Sequence, residues 1–275
     1  MLRIGRIEYA NCTPIFHALQ QHFNCDDYTF ISGFPAALNV MLSSGEIDVC
    51  PSSSIEYALH PDHYLILPDL SISSLGAVAS VLLFSSLPIM ELDGHEVLLS
   101  AESATSVILL KILLKQRYGC ECGFRSTNLA VGAALKEAKA LLLIGDAALR
   151  TQQESAGVKV YDLGELWYEW TGMPFVFALW LASSKAFDKH GVQLQRLAVE
   201  LRQAKEFALA DLERIADASP DACWMGRERL LNYWRENLSY NLGEKHCKGL
   251  NLFFSLAAGM GLIEKAPELA FLPER

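Results

Sequence analysis

The chain has no stripe of lysine and arginine interleaved with aromatics, no nucleotide-binding loop, no metal motif and no apolar run long enough for a membrane. Each absence removes a class of function. With 23 Lys and Arg against 32 Asp and Glu, a net charge of −9, nucleic acid and anionic membrane surfaces are poor partners, so an anionic ligand must be held locally. The apolar stretch at residues 75–87 carries Gly76 and several serines, is too short to span a bilayer, and reads as a buried strand. No G-x-S-x-G elbow, Walker loop or G-x-G-x-x-G is present, which weakens hydrolase, kinase and dehydrogenase readings together. The seven cysteines are odd in number and scattered, and the one close pair, Cys120 and Cys122, has neither redox nor zinc-knuckle spacing. Reduced thiols in the cytoplasm are expected. Arg3 and Arg6 interrupt the apolar start, and no h-region or cleavage site follows, so the reading expects no signal peptide. His60-Pro61-Asp62-His63 lacks a third ligand at metal spacing, and the adjacent His246 and Cys247 would point in different directions on a helix. Neither a metal nor a cofactor is expected.

What is present is apolar and αβ-patterned. At 275 residues and 51% hydrophobic content, the chain can bury one large core or two medium ones. Residues 2–7 alternate as a strand, and Thr13-Pro14 opens a helix with Ile15, Phe16, Leu19 and Phe23 on its apolar face. A strand at 28–32, a turn at Gly33-Phe34-Pro35, a helix closed by Ser44-Gly45, a strand at 47–50 and a short helix to Leu59 complete a β-α-β-α-β order. That order implies a parallel sheet with right-handed crossovers. Residues 65–84 are β-rich and long enough to cross between lobes. Further strands at 97–100, 141–144 and 158–161, with helices at 105–117 and 128–138, imply a second αβ unit. Beyond Phe187 the periodicity is helical, with Leu194, Leu197, Leu201 and Phe207 on one stripe and Trp224, Leu230, Trp234 and Leu238 in a tail packed back on the body.

Three turns carry small hydroxyl or amide residues where a strand should hand over to a helix: Asn11-Cys12-Thr13, Ser52-Ser53-Ser54, and Ser103-Ala104-Thr105-Ser106. Helix N-termini offer unpaired N–H groups and the positive end of the macrodipole, so such residues can cap the helix or grip a carboxylate. Leu143-Ile144-Gly145-Asp146 places a carboxylate at the carboxyl edge of a sheet, where open α/β folds bind ligands; an N-cap role suits the residue equally. The aromatic run around Gly172-Met173-Pro174 reads as hinge and core packing, with one ring at most touching a ligand.

Taken in order, these motifs resemble a known family. Ile4-Gly5 to Tyr9, Asn11 and Pro14, then Gly33-Phe34-Pro35, Gly45-Glu46-Ile47-Asp48-Val49 and Ser52-Ser53-Ser54-Ile55-Glu56-Tyr57 are similar to the futalosine-pathway menaquinone enzymes. Leu67-Pro68-Asp69-Leu70, Ser80-Val81-Leu82-Leu83-Phe84, Ile144-Gly145-Asp146, Asp162-Leu163-Gly164 and Thr171-Gly172-Met173-Pro174 resemble the chorismate dehydratase family within that group. The resemblance spans residues 2–181 and implies a periplasmic-binding-protein-like α/β fold of type 2, two α/β lobes with a ligand cleft between them and a helical C-terminal tail. It divides the chain into residues 1–83 plus 182–275 and residues 84–181. The implied reaction removes water from chorismate to give 3-[(1-carboxyvinyl)oxy]benzoate, without redox cofactor or metal. By the family match Asn11 and Ser80 stand nearest the chemistry, with the substrate's own enolpyruvyl carboxylate as base. Ser52, Ser53, Ser103, Thr105 and Ser106 are then the carboxylate grips, and Asp146 meets a ligand hydroxyl or shapes its loop. The competing readings are the sister enzyme 1,4-dihydroxy-6-naphthoate synthase, a non-catalytic small-carboxylate-binding protein of the same fold, and an interaction domain. Oligomeric state is not readable.

Overall fold

The computed structural model describes residues 1–100, 104–154 and 157–273. The first half builds β1 (Leu2–Ile7), α1 (Thr13–His22), β2 (Tyr28–Gly33), α2 (Pro35–Ser44), β3 (Val49–Ser53), α3 (Ser54–Leu59) and β4 (Tyr64–Ser74). Apolar residues of β1 and of α1 turn inward, and Leu2, Ile4, Ile15, Phe16 and Leu19 are buried together. Gly45, at φ +79°, ends α2 in the left-handed conformation that a residue with a Cβ adopts only at a cost. β1 runs parallel to both β2 and β3, as the β-α-β-α-β pattern requires.

One ionic contact fixes the start of that sheet. Asp48, nearly buried, accepts from the Arg3 main-chain N–H at 2.8 Å and from its guanidinium at 2.6 and 3.0 Å, while the Asp48 N–H donates to the Arg3 carbonyl at 2.8 Å. The carbonyl of Asp48 in turn accepts from Ser183 N–H at 2.9 Å.

The second unit contains β5 (Val81–Ser85), β6 (Glu96–Ser100), α4 (Ala104–Ile112), β7 (Gly123–Thr127), α5 (Val131–Glu137), β8 (Ala140–Ile144), α6 (Gly145–Glu154), β9 (Lys159–Asp162) and α7 (Leu163–Thr171). β10 (Phe175–Ser183) then returns to the first sheet, and α8 (Ser184–Ala210) follows it. The tail consists of α9 (Leu212–Ala218), α10 (Asp221–Met225), α11 (Arg227–Asn232), a π-helical turn (Tyr233–Asn237) and α12 (Glu244–Gly259).

The two five-stranded sheets have orders β2-β1-β3-β10-β4 and β7-β6-β8-β5-β9. Both are mixed: β10 is antiparallel to β3 and β4, and β5 is antiparallel to β8 and β9. The chain changes sheet between Ser74 and Val81 and again between Asp162 and Phe175. The expected divisions at 83/84 and 181/182 would therefore cut β5 and β10; buried apolar strands of either sheet look alike in sequence. The strand expected at residues 47–50 begins two residues later and runs through Ser53. The helix expected at 105–117 is α4 continued by a π-helical turn (Leu113–Arg117). Phe207 lies off the buried stripe of α8, half-exposed and stacked on His22 at 4.3 Å.

Replacing Asp48 by Ala removes the acceptor of a main-chain N–H and of the guanidinium together. We expect a loss of about 1–3 kcal/mol in urea unfolding, with the slope unchanged. A loss below about 0.5 kcal/mol would show that water replaces the carboxylate without cost.

Candidate ligand cavity

Five helices, α1, α2, α3, α4 and α6, begin at strand ends or turns around one cavity between the sheets. Its wall includes Asn11, Ser53, Ser80 and Ser106, with Tyr9 and Phe177 supplying rings. Among the described residues that line it, none is His, Lys, Arg, Asp or Glu. Negative charge there can be met by hydroxyls, amides and the N-terminal ends of helices.

Of the residues expected to grip a ligand, Ser53 and Ser106 reach the cavity. Ser53 is the N-cap residue of α3, but its side chain makes no capping bond. Ser52 does not line the cavity: β3 continues through it, it is fully buried, and its hydroxyl donates to Asn39 Oδ1 at 2.7 Å. Thr105 is also turned to structural use. Its Oγ1 accepts from the N–H of Ile55 at 3.1 Å and lies 3.4 Å from Ser54 Oγ, so a hydroxyl from α4 caps α3 across the gap between the sheets. Ser103 lies outside the described residues. Asp146, in the first turn of α6, accepts from the Ala10 N–H at 3.2 Å, a second bond between the two units. It is not among the cavity-lining residues. Gly145 before it has φ +58°, and a Cβ there would stand 2.8 Å from the Tyr9 ring.

Asn11 and Ser80 line the same cavity from different sheets' connections. The side-chain oxygen of Asn11 is buried without a hydrogen-bond partner, while its main-chain carbonyl accepts from the Tyr240 hydroxyl at 2.8 Å. An acceptor stripped of water and left unpaired is costly unless a ligand completes it. Ser80 sits at a corner in which Ala79 has φ +60°. Asp162 holds that corner: its carboxylate accepts from the N–H groups of Val78 at 3.0 Å, Ala79 at 2.6 Å, Gly164 at 2.9 Å and Glu165 at 3.1 Å. Burial lifts the Asp162 carboxyl above the usual aspartate value, against four donors that favour its charged form. The Ser80 carbonyl accepts from Gly145 N–H at 2.7 Å, and its hydroxyl accepts from Tyr233 at 2.9 Å.

The tail was read only as packing, yet it supports both loops. Besides Tyr233 and Tyr240, Trp234 Nε1 donates to the Ala10 carbonyl at 2.7 Å and Asn237 Nδ2 to the Ala77 carbonyl at 3.0 Å. No local pattern announces contacts made across more than 150 residues of sequence. Asp162 did carry a signal, an Asp at a strand end before Leu-Gly-Glu, the pattern of an N-cap. Within the aromatic run, Trp167 is buried against Phe175 and Phe253, whereas Phe177 lines the cavity wall. His60 and His63 stack at 5.5 Å, and no group of three metal-ligating side chains occurs among the described residues.

A family model described as menaquinone biosynthesis matches residues 2–259. The chain belongs to the menaquinone biosynthesis family. Within reach of this family assignment stands a relative named chorismate dehydratase, from Thermus thermophilus, 34% identical over 276 residues that cover 94% of this chain and 95% of that one. Among solved structures, a protein from Archaeoglobus fulgidus superposes with a TM-score of 0.76 at 21% identity, covering 95% of this chain and 98% of that one. The periplasmic aliphatic sulphonate-binding protein of Escherichia coli superposes with a TM-score of 0.67 at 15% identity, covering 100% of this chain and 94% of that one. This family member therefore has the periplasmic-binding-protein fold, as its motifs implied.

The Thr105 contact gives a test within the family fold. Thr105→Val keeps the volume but removes the acceptor for Ile55 N–H, and should lower unfolding stability by about 1–2 kcal/mol, while Thr105→Ser stays within about 0.5 kcal/mol. Equal stability of all three proteins would return Thr105 to the ligand-gripping role.

Proposed function

We propose that the chain is a chorismate dehydratase, a hydro-lyase that converts chorismate to 3-[(1-carboxyvinyl)oxy]benzoate in the cytoplasm, in the futalosine route to menaquinone. The 34% identity to the Thermus thermophilus enzyme over 94% of this chain carries this reading. The unpartnered Asn11 oxygen in the cavity that Ser80 also lines supports it, because the reaction calls for positioned neutral hydrogen-bonding groups rather than a strong acid.

Chorismate is a dicarboxylate whose ring carries a hydroxyl next to the carbon that bears the enolpyruvyl ether. The C–H at that ether carbon is lost with the neighbouring hydroxyl, and the ring becomes aromatic. The enolpyruvyl carboxylate is suited to take the proton, since no described His, Lys, Asp or Glu lines the cavity. Asn11 Oδ1 orients a donor on the substrate, and Ser80 faces the departing hydroxyl; such preorganised groups lower the barrier without themselves changing protonation state. Ser53 and Ser106 meet carboxylate oxygens at the starts of α3 and α4. The cavity holds about 60 Å³ of water-accessible space. Ligand pockets ordinarily hold about 300 Å³ or more, so the lobes part to admit a ten-carbon acid.

Purified protein given chorismate should release the enolpyruvyl benzoate, detected by mass, at a rate that chelator leaves unchanged. Asn11→Ala and Ser80→Ala should each lower kcat on the order of 10²–10³. The kcat profile should show no limb near a histidine value of about 6.5. Tight binding of chorismate without turnover would mark a small-carboxylate-binding protein instead.

Ser53→Ala and Ser106→Ala should raise KM more than they lower kcat, because a grip on a carboxylate that does not react is made equally before and during the reaction. Each lost charge-assisted bond corresponds to about 1.5–3 kcal/mol of affinity. Unaltered KM in both proteins would leave these serines with no part in binding.

A further inference from the structure

Ser80 has a single hydroxyl proton, and where that proton points decides what the residue can do. A serine hydroxyl donates once and accepts up to twice, and its rotor is otherwise free to turn. Here the oxygen is already engaged, because Tyr233 donates to it at 2.9 Å. Both residues are buried, at 2% and 3% exposure, so water does not compete for this bond. Among the described residues Ser80 Oγ has no second hydrogen-bond partner, and Ser80 lines the cavity.

We infer that Tyr233 is a positioning residue for Ser80: by donating to the Ser80 oxygen from the C-terminal tail, it commits the Ser80 proton to the cavity, toward the hydroxyl that departs. The inference rests on the chorismate dehydratase reading and names a residue that the reading does not include. Three further features fit it. Tyr233 opens the π-helical turn that follows α11, the irregular backbone found where a helix must re-aim side chains. Burial holds its phenol well above the usual tyrosine value, so the tyrosine stays a donor throughout the neutral range. The Ser80 main chain is itself pinned, by Gly145 N–H on its carbonyl and by the Asp162-bound corner before it, so the side chain is the remaining freedom.

The chemistry balances without a new reactant. The ether-bearing carbon gives its proton to the substrate carboxylate, the C–H electron pair becomes the ring double bond, and the C–O bond breaks. The carboxylic acid proton then joins the departing hydroxide as water. Ser80 and Tyr233 both keep their protons and contribute hydrogen bonds alone; a bond to charge developing on oxygen is worth more in the transition state than before it.

The test is a double-mutant cycle on single-turnover rates with chorismate. Tyr233→Phe, which removes one oxygen atom, should lower the rate roughly tenfold, the loss of about one hydrogen bond's worth of transition-state stabilisation, with KM within about twofold. In a Ser80→Ala protein the same change should have no further effect, because the group it orients is gone. Tyr240→Phe, which loses a bond to the Asn11 carbonyl instead, should act by the same factor in both backgrounds. If Tyr233→Phe does not fold, 3-fluorotyrosine at 233 keeps the ring and strengthens the donor; its effect on rate should appear with Ser80 and vanish in Ser80→Ala. An impaired Ser80→Ala enzyme with an unimpaired Tyr233→Phe enzyme, or equal losses from Tyr233→Phe in both backgrounds, overturns the inference. An unimpaired Ser80→Ala enzyme overturns the underlying assignment of Ser80.

Discussion

The buried Asp162 carboxylate is the contact on which the site's shape depends. A chain that leaves one sheet and enters another must turn sharply while its main-chain N–H groups stay satisfied, and at residues 78–80 it does so with Ala79 at positive φ. Asp162 ends β9 and simultaneously caps α7, so one side chain ties the outgoing crossover to the returning one. Without that acceptor the corner would relax to an ordinary extended path, and Ser80 would leave the wall. Four amide dipoles stand in for water around the carboxylate and offset part of the cost of its burial, which still lifts the carboxyl above the usual aspartate value.

The tail is the second frame. Its stretch from Tyr233 to Tyr240 contacts the loop after β1, the crossover after β4, and β4 itself, where Ser239 pairs with Ser73 through two main-chain bonds of 2.8 and 2.9 Å. β4 is an edge strand of its sheet, and residues 270–272 cover another part of it through Ile66. Edge protection and support of the cavity are thus supplied by one segment. The phenols and the indole are suited to this, since each buries a large apolar ring while delivering one directed donor.

Much of this was legible in the sequence, and the limits have physical causes. β1, α1, β2 and α2 followed from alternation, from Pro14 and from Gly45, because each signal is local. β7 was missed: Gly123–Thr127 is an edge strand with mostly exposed side chains, so it carries no apolar alternation to detect. β10 was read as a hinge and a return, because a strand buried between two neighbours shows an unbroken apolar run that fits several roles. At the site, Ser53 and Ser106 were placed at the cavity by the helix-start argument, and Asn11 and Ser80 by family resemblance. Ser52 and Thr105 were not separable from them by type, because whether a hydroxyl faces ligand or scaffold depends on what the other sheet brings opposite it. Asn39 and Ile55 settle those two cases.

The bond from Ile55 N–H to Thr105 has a consequence for how the two halves exchange partners. An N-terminal amide of α3 is satisfied by a hydroxyl of the opposite unit, so parting the two halves separates this donor from its acceptor and returns both to water. Neither Ile55 nor Thr105 is among the residues that line the cavity, so this bond belongs to the scaffold that holds the two helix starts together and stands apart from the groups a ligand meets.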